Sequence, residues 1–354
     1  MNESIELRNY KFDSDEIPLV SISCITYNHK QYIRDAIEGF LMQITNFPVE
    51  ILIHDDASTD GTTEIIKEYE KRYPNLIKPL YEEENQWVKG RRGSIVFNIP
   101  RSQGKYIAFC EGDDYWTDPY KLQKQVDFLE SHPDYGMVHT DADILYQSNK
   151  QIIKSSHRTK GLKLKSGDVF TDIIISRYPI HTCTVLLRKE LLHPAIYQPS
   201  QNYISIDTYL FLIVSKMSNV RYFDFSTAVR RILDESLSKS ANVTKRIKFA
   251  ESGFKLLLDS AIKYKCNQAI IDKVYDNSSG LLLALYIEDK NSNGVKKYYK
   301  LYREHSQVKP KRRQRIAYYC AFLPKGLSLY EVATNLLRRI LGKDHKKNVI
   351  GNTW

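Results

Sequence analysis

The sequence predicts an α/β protein, a mostly parallel sheet with flanking helices followed by a helical C-terminal region. Three observations predict it. Short apolar runs alternate with helically spaced stretches through the first third of the chain. Three of those runs end in polar clusters: Thr26-Tyr27-Asn28, Asp55-Asp56, and Glu111 with Asp113-Asp114. Beyond residue 240 the alternation stops and long leucine-faced stretches replace it.

In order along the chain, residues 19–27 read as a strand. Residues 32–43 follow as a helix, with Ile33, Ile37, Phe40 and Leu41 on one face. Residues 49–54 form the next strand. Asp60 is placed to cap a helix over 62–73, which Pro74 closes. A short strand over 76–81, a helix over 94–101 and a buried strand over 105–110 complete the alternation. Asp118 and Pro119 read as N-cap and first residue of the following helix. Residues 135–146 read as a strand pair, with Asp141 and Asp143 on its outward face, and 154–165 as a mobile basic loop. A strand over 220–225 comes last. Helices are expected over 242–265, 268–289, 292–305 and 327–341.

Such βαβ order gives a parallel sheet whose ligands bind beyond the carboxyl ends of the strands. The three polar clusters therefore fall on one edge. Glu111-Gly112-Asp113-Asp114 places three carboxylates within four residues at the end of a buried strand. They repel one another and lose solvation unless a cation or a ligand's donors neutralise them. Mg²⁺ or Mn²⁺ holding a diphosphate is the natural partner, because such ions bind through one or two carboxylates plus phosphate oxygens. The plainer reading is an acidic turn ahead of a helix. Likewise Asn28-His29 is compatible with ordinary turn chemistry, and Asp55-Asp56 with the acidic pair of a phospho-accepting domain. No Gly-rich phosphate loop is present, so a diphosphate would be held by metal and not by a helix N-terminus.

The bulk numbers set limits. The 354 residues allow one large domain with an appendage, or two domains. No apolar run approaches the roughly 20 residues a membrane helix needs, and the polar, acidic start does not resemble a signal peptide. Five scattered cysteines without any CxxC pair read as reduced core residues of a cytoplasmic protein. Charge is unevenly spread. Residues 291–354 carry 15 Lys and Arg against 3 Asp and Glu, whereas residues 1–290 carry 37 against 39. Leu329, Val332, Leu336, Leu337 and Ile340 form one stripe on the basic tail, the pattern of a helix lying in a membrane interface or docked on its own protein.

Taken in order, strand-Thr26-Tyr27-Asn28, the run from Ile53 to Thr62 (IHDDASTDGT) and the run from Gly104 to Trp116 (GKYIAFCEGDDYW) resemble family 2 glycosyltransferases of the GT-A fold. The match is to bacterial enzymes that build surface polysaccharide, and it covers roughly residues 18 to 235. The resemblance implies a division into an N-terminal extension (1–17), a GT-A domain (18–240), a helical region (241–308) and a basic amphipathic tail (309–354). It implies that Thr26 and Tyr27, beside Asn28 and Asp55, line a nucleobase pocket, with Asp56 accepting from the base. Asp113 and Asp114 would be the metal-binding motif, meeting ribose and, through Mn²⁺ or Mg²⁺, the diphosphate. Glu111 stands where many relatives have Asp. Asn85 and Arg92 fall in a donor-contacting loop, residues 180–189 on the acceptor side, and Asp207 at the position of the catalytic base. Where relatives often carry a metal-completing His, this chain has Leu233, with Asp234 or water as replacement. Arg230 or Arg231 would neutralise the leaving diphosphate.

The expected activity is inverting, metal-dependent transfer of a sugar from a nucleoside diphosphate, taken as UDP, to a hydroxyl of a glycan or lipid-linked acceptor. Peripheral contact of residues 309–347 with the inner face of the cytoplasmic membrane is expected, and no nucleic-acid partner. The rival readings are a nucleotide-sugar-binding protein that has lost transfer, and a scaffold acting through the basic tail on membrane or nucleic acid.

Overall fold

The computed structural model describes residues 4–10, 16–91, 93–192, 203–233, 242–306 and 309–340, the last five without their side chains. The chain divides into two compact units, one of residues 1–170, 180–202 and 206–233, the other of 171–179, 203–205 and 234–354.

Elements of the first half follow in the order β1 (Ile5–Glu6), β2 (Val20–Thr26), α1 (Ile33–Leu41), β3 (Ile44–Thr45), β4 (Val49–Asp55), α2 (Thr62–Arg72) and β5 (Ile77–Tyr81). A π-helical turn, Ser94–Asn98, runs into α3 (Ile99–Arg101), then β6 (Tyr106–Phe109), β7 (Tyr115–Trp116) and α4 (Lys121–Ser131). There follow β8 (Tyr135–Tyr146), β9 (Gln151–Ile153), α5 (Ser156–Thr159), α6 (Phe170–Ile174), β10 (Leu186–Arg188), α7 (Ile206–Met217) and β11 (Asn219–Ile232).

Nine strands form one sheet in the order β5-β4-β2-β6-β10-β8-β11-β7, with β9 beside β8. The first four are parallel neighbours, as the βαβ pattern requires. Beyond them the sheet is mixed: β10 runs antiparallel to β6 and β8, while β8 and β11 are parallel. All seven residues of β4 are buried, the polar Glu50, His54 and Asp55 with the four apolar ones, as a strand flanked on both sides requires. Pro79 is tolerated because β5 is an edge strand. The core gathers Val20, Ile22 and Cys24 of β2, Ile33, Ile37 and Phe40 of α1, Ile51 and Ile53 of β4, and Trp116.

Several expectations need correction. Residues 135–146 are one twelve-residue strand, not a pair. Asp141 and Asp143 do not face outward: they are 0% and 6% exposed. Neighbouring strands flank β8 on both sides, and Asp141 accepts the backbone N–H groups of His157 and Arg158 from α5. Residues 154–165 are not a bare loop. They contain α5, with Ser156 and His157 buried, and Lys154 pairs with Asp143 at 2.6 Å. The strand expected to stop at 225 continues to Ile232 through two register shifts. Helix α4 starts two residues later than expected, with Tyr120 at its N-cap, while Asp118 accepts the Tyr120 N–H at 2.9 Å. At α2 the N-cap is Gly61, and Asp60 accepts from both the N–H and the hydroxyl of Thr62.

The second unit holds α8 (Val243–Lys263), α9 (Gln268–Glu288), α10 (Ser292–His305), α11 (Arg312–Cys320) and α12 (Gly326–Ile340). Asn242, Asn267 and Asn291 cap α8, α9 and α10 through side-chain oxygens, satisfying N–H groups that lack helical partners. Leu282, Leu283, Val295, Tyr298, Tyr299 and Ala317 make its core. Other side chains from this end of the chain stay outside it: Tyr319, Phe322, Leu323, Leu329 and Val332 are all more than half exposed. Among the described residues no helix is long and apolar enough to cross a membrane.

Candidate active site

Strand β2 lies between β4 and β6 and pairs in parallel with both, Thr26 opposite Asp55 and Ser23 opposite Phe109. The three polar clusters therefore meet at one sheet edge, as the strand order required. Gly112 joins them further. Its N–H donates to Ile25 O at 2.9 Å, and a Cβ there would lie 2.7 Å from Thr26 Oγ1. Only glycine lets the acidic turn approach β2 this closely. Thr26 Oγ1 is buried without a hydrogen-bond partner.

Much of the first two clusters is occupied with holding turns. Asn28, at φ 55°, receives the Thr59 N–H on its side-chain oxygen at 2.8 Å and donates its own N–H to Ser58 Oγ at 2.9 Å. Asp55 accepts from Ser58 N at 3.1 Å and from the Thr63 hydroxyl. Asp56, 8% exposed, accepts the N–H groups of Gln86 and Trp87 at 2.6 and 3.1 Å, which fixes the 85–88 loop over the strand end. Asn85 braces the same loop, donating to Asp56 O and accepting from Val88 N. Tyr27 turns its ring outward, 45% exposed. Arg92 lies outside the described residues.

The acidic turn is built differently. Asp114 N–H donates to Glu111 O at 3.1 Å, and β7 then pairs with β11 through Tyr115 with Val229 and Trp116 with Ala228. Asp114 Oδ1 accepts the Arg231 N–H at 2.7 Å. Arg231 Nη1 donates to Asp113 O at 2.7 Å, and its Nη2 pairs with Asp35. Tyr115 and Tyr32 lie against that guanidinium at 4.4 and 5.1 Å. Arg231 is thus a brace for the turn's backbone and is not available to a leaving group. Arg230, one residue earlier and half-buried, keeps its charge close enough to counter the rise in Asp114.

No Lys or Arg side chain among the described residues pairs with the carboxylates of Glu111, Asp113 or Asp114. Burial, then the charges of Asp114, Asp113 and Asp207, push the Glu111 carboxyl well above the usual carboxylate range. Burial and the Asp113 charge push Asp114 up to about 7. A buried acidic group with so little protein countercharge fits a divalent cation.

Asp207 sits in the first turn of α7, where its Oδ2 accepts from Thr182 Oγ1 at 3.0 Å and its Oδ1 from Thr208 N at 2.8 Å. Its charge is one of those that raise the Glu111 carboxyl. Leu233 ends the described stretch after β11, and Asp234 lies outside the described residues.

Sequence reasoning missed three supports. Arg231 carried no signal beyond being one of two adjacent arginines. Cys183 accepts the Trp116 indole N–H on its carbonyl at 2.7 Å. Lys121 is fully buried, its Nζ 4.2 Å from the Trp116 ring and bonded to Gln125, and burial lowers it to about 7.

Comparison with known proteins agrees with this geometry. Residues 21–191 match the model of Glycosyl transferase family 2. An uncharacterised protein of Mycobacterium bovis is 33% identical over 262 residues, 72% of each chain. An Escherichia coli enzyme, UDP-Glc:alpha-D-GlcNAc-diphosphoundecaprenol beta-1,3-glucosyltransferase WfaP, is 37% identical over 113 residues, 32% of this chain and 42% of that one. The structure of Staphylococcus aureus TarS 1–349 in complex with UDP-GlcNAc superposes with a TM-score of 0.62 at 16% identity, over 90% of this chain and 91% of that one. The fold is therefore GT-A-like, and the chain belongs to glycosyltransferase family 2.

Proposed function

We propose that this glycosyltransferase moves a sugar from a UDP-sugar to a hydroxyl of a glycan or lipid-linked acceptor, with inversion and with a divalent cation. The observation that carries this reading is the acidic turn. Three carboxylates stand at the sheet edge with no cationic side chain among the described residues paired to them, beside a buried unpaired hydroxyl on Thr26.

Asp113 and Asp114 are the residues that would hold Mn²⁺ or Mg²⁺, with Glu111 behind them. Bound there, the cation supplies countercharge to the diphosphate as the sugar departs. Tyr27 offers its exposed ring to the base, and Thr26 a hydroxyl. Asp56 retains acceptor capacity beyond its two loop N–H groups, since a carboxylate has about four lone-pair directions. Asp207 takes the proton of the acceptor hydroxyl as that oxygen attacks the anomeric carbon. Thr182 orients Asp207, and Arg230 adds positive charge on the leaving-group side. UDP as the nucleotide is supported by the donor named for the Escherichia coli relative and by the ligand of the TarS complex. A lipid-linked acceptor is supported by the former and by the basic tail with its exposed apolar residues.

The test is transfer from a panel of UDP-sugars to lipid-diphosphate sugar acceptors, with product configuration read by NMR. An inverted anomeric centre and loss of turnover with EDTA are expected. A retained configuration, or full activity in EDTA, would overturn the corresponding part.

A further inference from the structure

A second polar cluster lies beside the acceptor-side turn. Asp141 comes from β8, His157 from α5, and His181 from the residue preceding the short turn Thr182–Thr184. One ligand atom of each lies within 4.8 Å of the others. The residues are 0%, 1% and 5% exposed. His157 Nδ1 is 3.7 Å from Asp141 Oδ1, and the two imidazoles stack at 4.4 Å and 12°.

The plain explanation is that Asp141 caps α5. Its Oδ1 accepts from Ala142 N at 2.7 Å, His157 N at 3.0 Å and Ser156 Oγ at 3.4 Å, and its Oδ2 from Arg158 N at 3.2 Å. That accounts for the carboxylate and leaves the rings unexplained. Both nitrogens of the His157 ring are buried with no hydrogen-bond partner, where a buried unpaired polar atom is costly. Ser156 Oγ meets Nε2 of His181 at 2.9 Å, which leaves the other nitrogen of that ring to serve. No Lys or Arg side chain among the described residues pairs with Asp141, so its charge has no cationic counterpart there.

We propose that Asp141, His157 and His181 bind a zinc-class divalent ion at a site separate from the acidic turn. Two imidazoles and one carboxylate are the donor set of a borderline transition ion, whereas Mg²⁺ takes oxygen ligands. Bonds of about 2.0–2.2 Å in tetrahedral arrangement need donors about 3.3 Å apart. The rings must therefore leave their parallel stack and close by roughly 1 Å. The ion ties β8 and α5 to the turn whose Thr182 hydroxyl holds Asp207, so its role is to position the acceptor side of the cleft. Binding of the ion requires nothing of the sugar-transfer reading, whereas the positioning role rests on it.

Elemental analysis of the purified full chain, reconstituted with Zn²⁺ and desalted, tests this. Expected is one equivalent of zinc per chain in the wild type and in Asp113→Ala, and at least about a tenfold loss in His157→Ala. Co²⁺ should replace it with the visible d–d bands of imidazole-bound, low-coordinate cobalt. Should His157→Ala fail to fold, by far-UV circular dichroism, Asp113→Ala decides: zinc should raise its Tm and EDTA reverse the rise. Folded wild type that retains no zinc and melts unchanged would overturn the site. So would zinc lost from Asp113→Ala and kept by His157→Ala.

Discussion

The backbone N–H of Arg231 donates to Asp114 Oδ1 at 2.7 Å, joining residues 117 apart in the sequence. The same arginine's guanidinium holds the Asp113 carbonyl. The acidic turn is therefore shaped by β11 as well as by its own Gly112. Its backbone and one carboxylate oxygen are fixed by the protein, while the Asp113 carboxylate makes no ion pair among the described residues. A turn fixed in this way meets a cation without reorganising.

Arg231→Ala removes the bond to Asp113 O and the contact with Tyr115, and leaves the backbone bond to Asp114. A loss of about 1.5–3 kcal/mol in urea denaturation is expected, the range for a hydrogen bond to a charged group. The pair with Asp35 adds little, because that carboxylate is 55% exposed. Arg231→Lys should recover little, since an ammonium cannot reproduce the planar fork.

The raised carboxyl of Asp114 makes stability depend on pH in a definite direction. Its folded value of about 7 stands above the ordinary 3.8. Between those values the folded state binds more protons than the unfolded one, so stability falls as pH rises. In EDTA the wild type should be most stable near the acid end of that window and lose stability on approaching pH 7. Asp114→Asn should flatten the slope, and saturating Mn²⁺ should offset the loss. Chemical denaturation across the window, with and without metal, measures all three.

Asp207→Asn keeps the shape of the carboxylate and removes its basicity. Turnover should fall by about 10²–10⁴-fold with UDP affinity unchanged. Thr182→Val removes only the bond from Thr182 to the proposed base. It should lower kcat less than Asp207→Asn does and move the pH profile of kcat. Steady-state rates across pH, beside UDP titrations, separate the base from its support.

Gly112→Ala brings a methyl to 2.7 Å from Thr26 Oγ1 and 3.1 Å from Ile33 Cδ1. Overpacking of this kind costs about 1–3 kcal/mol, and the turn must lift from β2. A lower Tm together with weaker UDP binding is expected. Weaker binding at unchanged Tm would mean that the turn moves freely.

The exposed Phe322, Leu323, Leu329 and Val332 accompany the most basic stretch of the chain. Binding to anionic vesicles at low salt should be lost when residues 309–354 are removed, and should weaken when Leu329 and Val332 are both changed to Glu. Vesicle sedimentation reads this directly. Binding that persists in the truncated chain would contradict membrane contact through the tail.

The parallel half of the sheet was legible because Val20–Thr26, Val49–Asp55 and Tyr106–Phe109 are buried strands rich in β-branched and other apolar residues, alternating with helically spaced stretches. The site's edge followed from strand order. What stayed illegible depends on partners distant in sequence. The alternation through Asp141 and Asp143 resembles a half-exposed strand, and only α5 with the flanking strands buries it. Asn28 and Asp55 brace turns, and the sequence could not separate that work from ligand contact, because both draw on the same residue types. Arg231 gave no local signal, since its partners lie on β7, α1 and the acidic turn.

The most direct measurement is UDP binding by calorimetry to wild type and Asp113→Ala, each with Mn²⁺ and with EDTA. Wild type should bind tightly only with the metal, and Asp113→Ala should bind weakly and equally in both. UDP bound as well in EDTA as in Mn²⁺ by the wild type, or metal-dependent binding retained by Asp113→Ala, would contradict a cation bridging the acidic turn to the diphosphate.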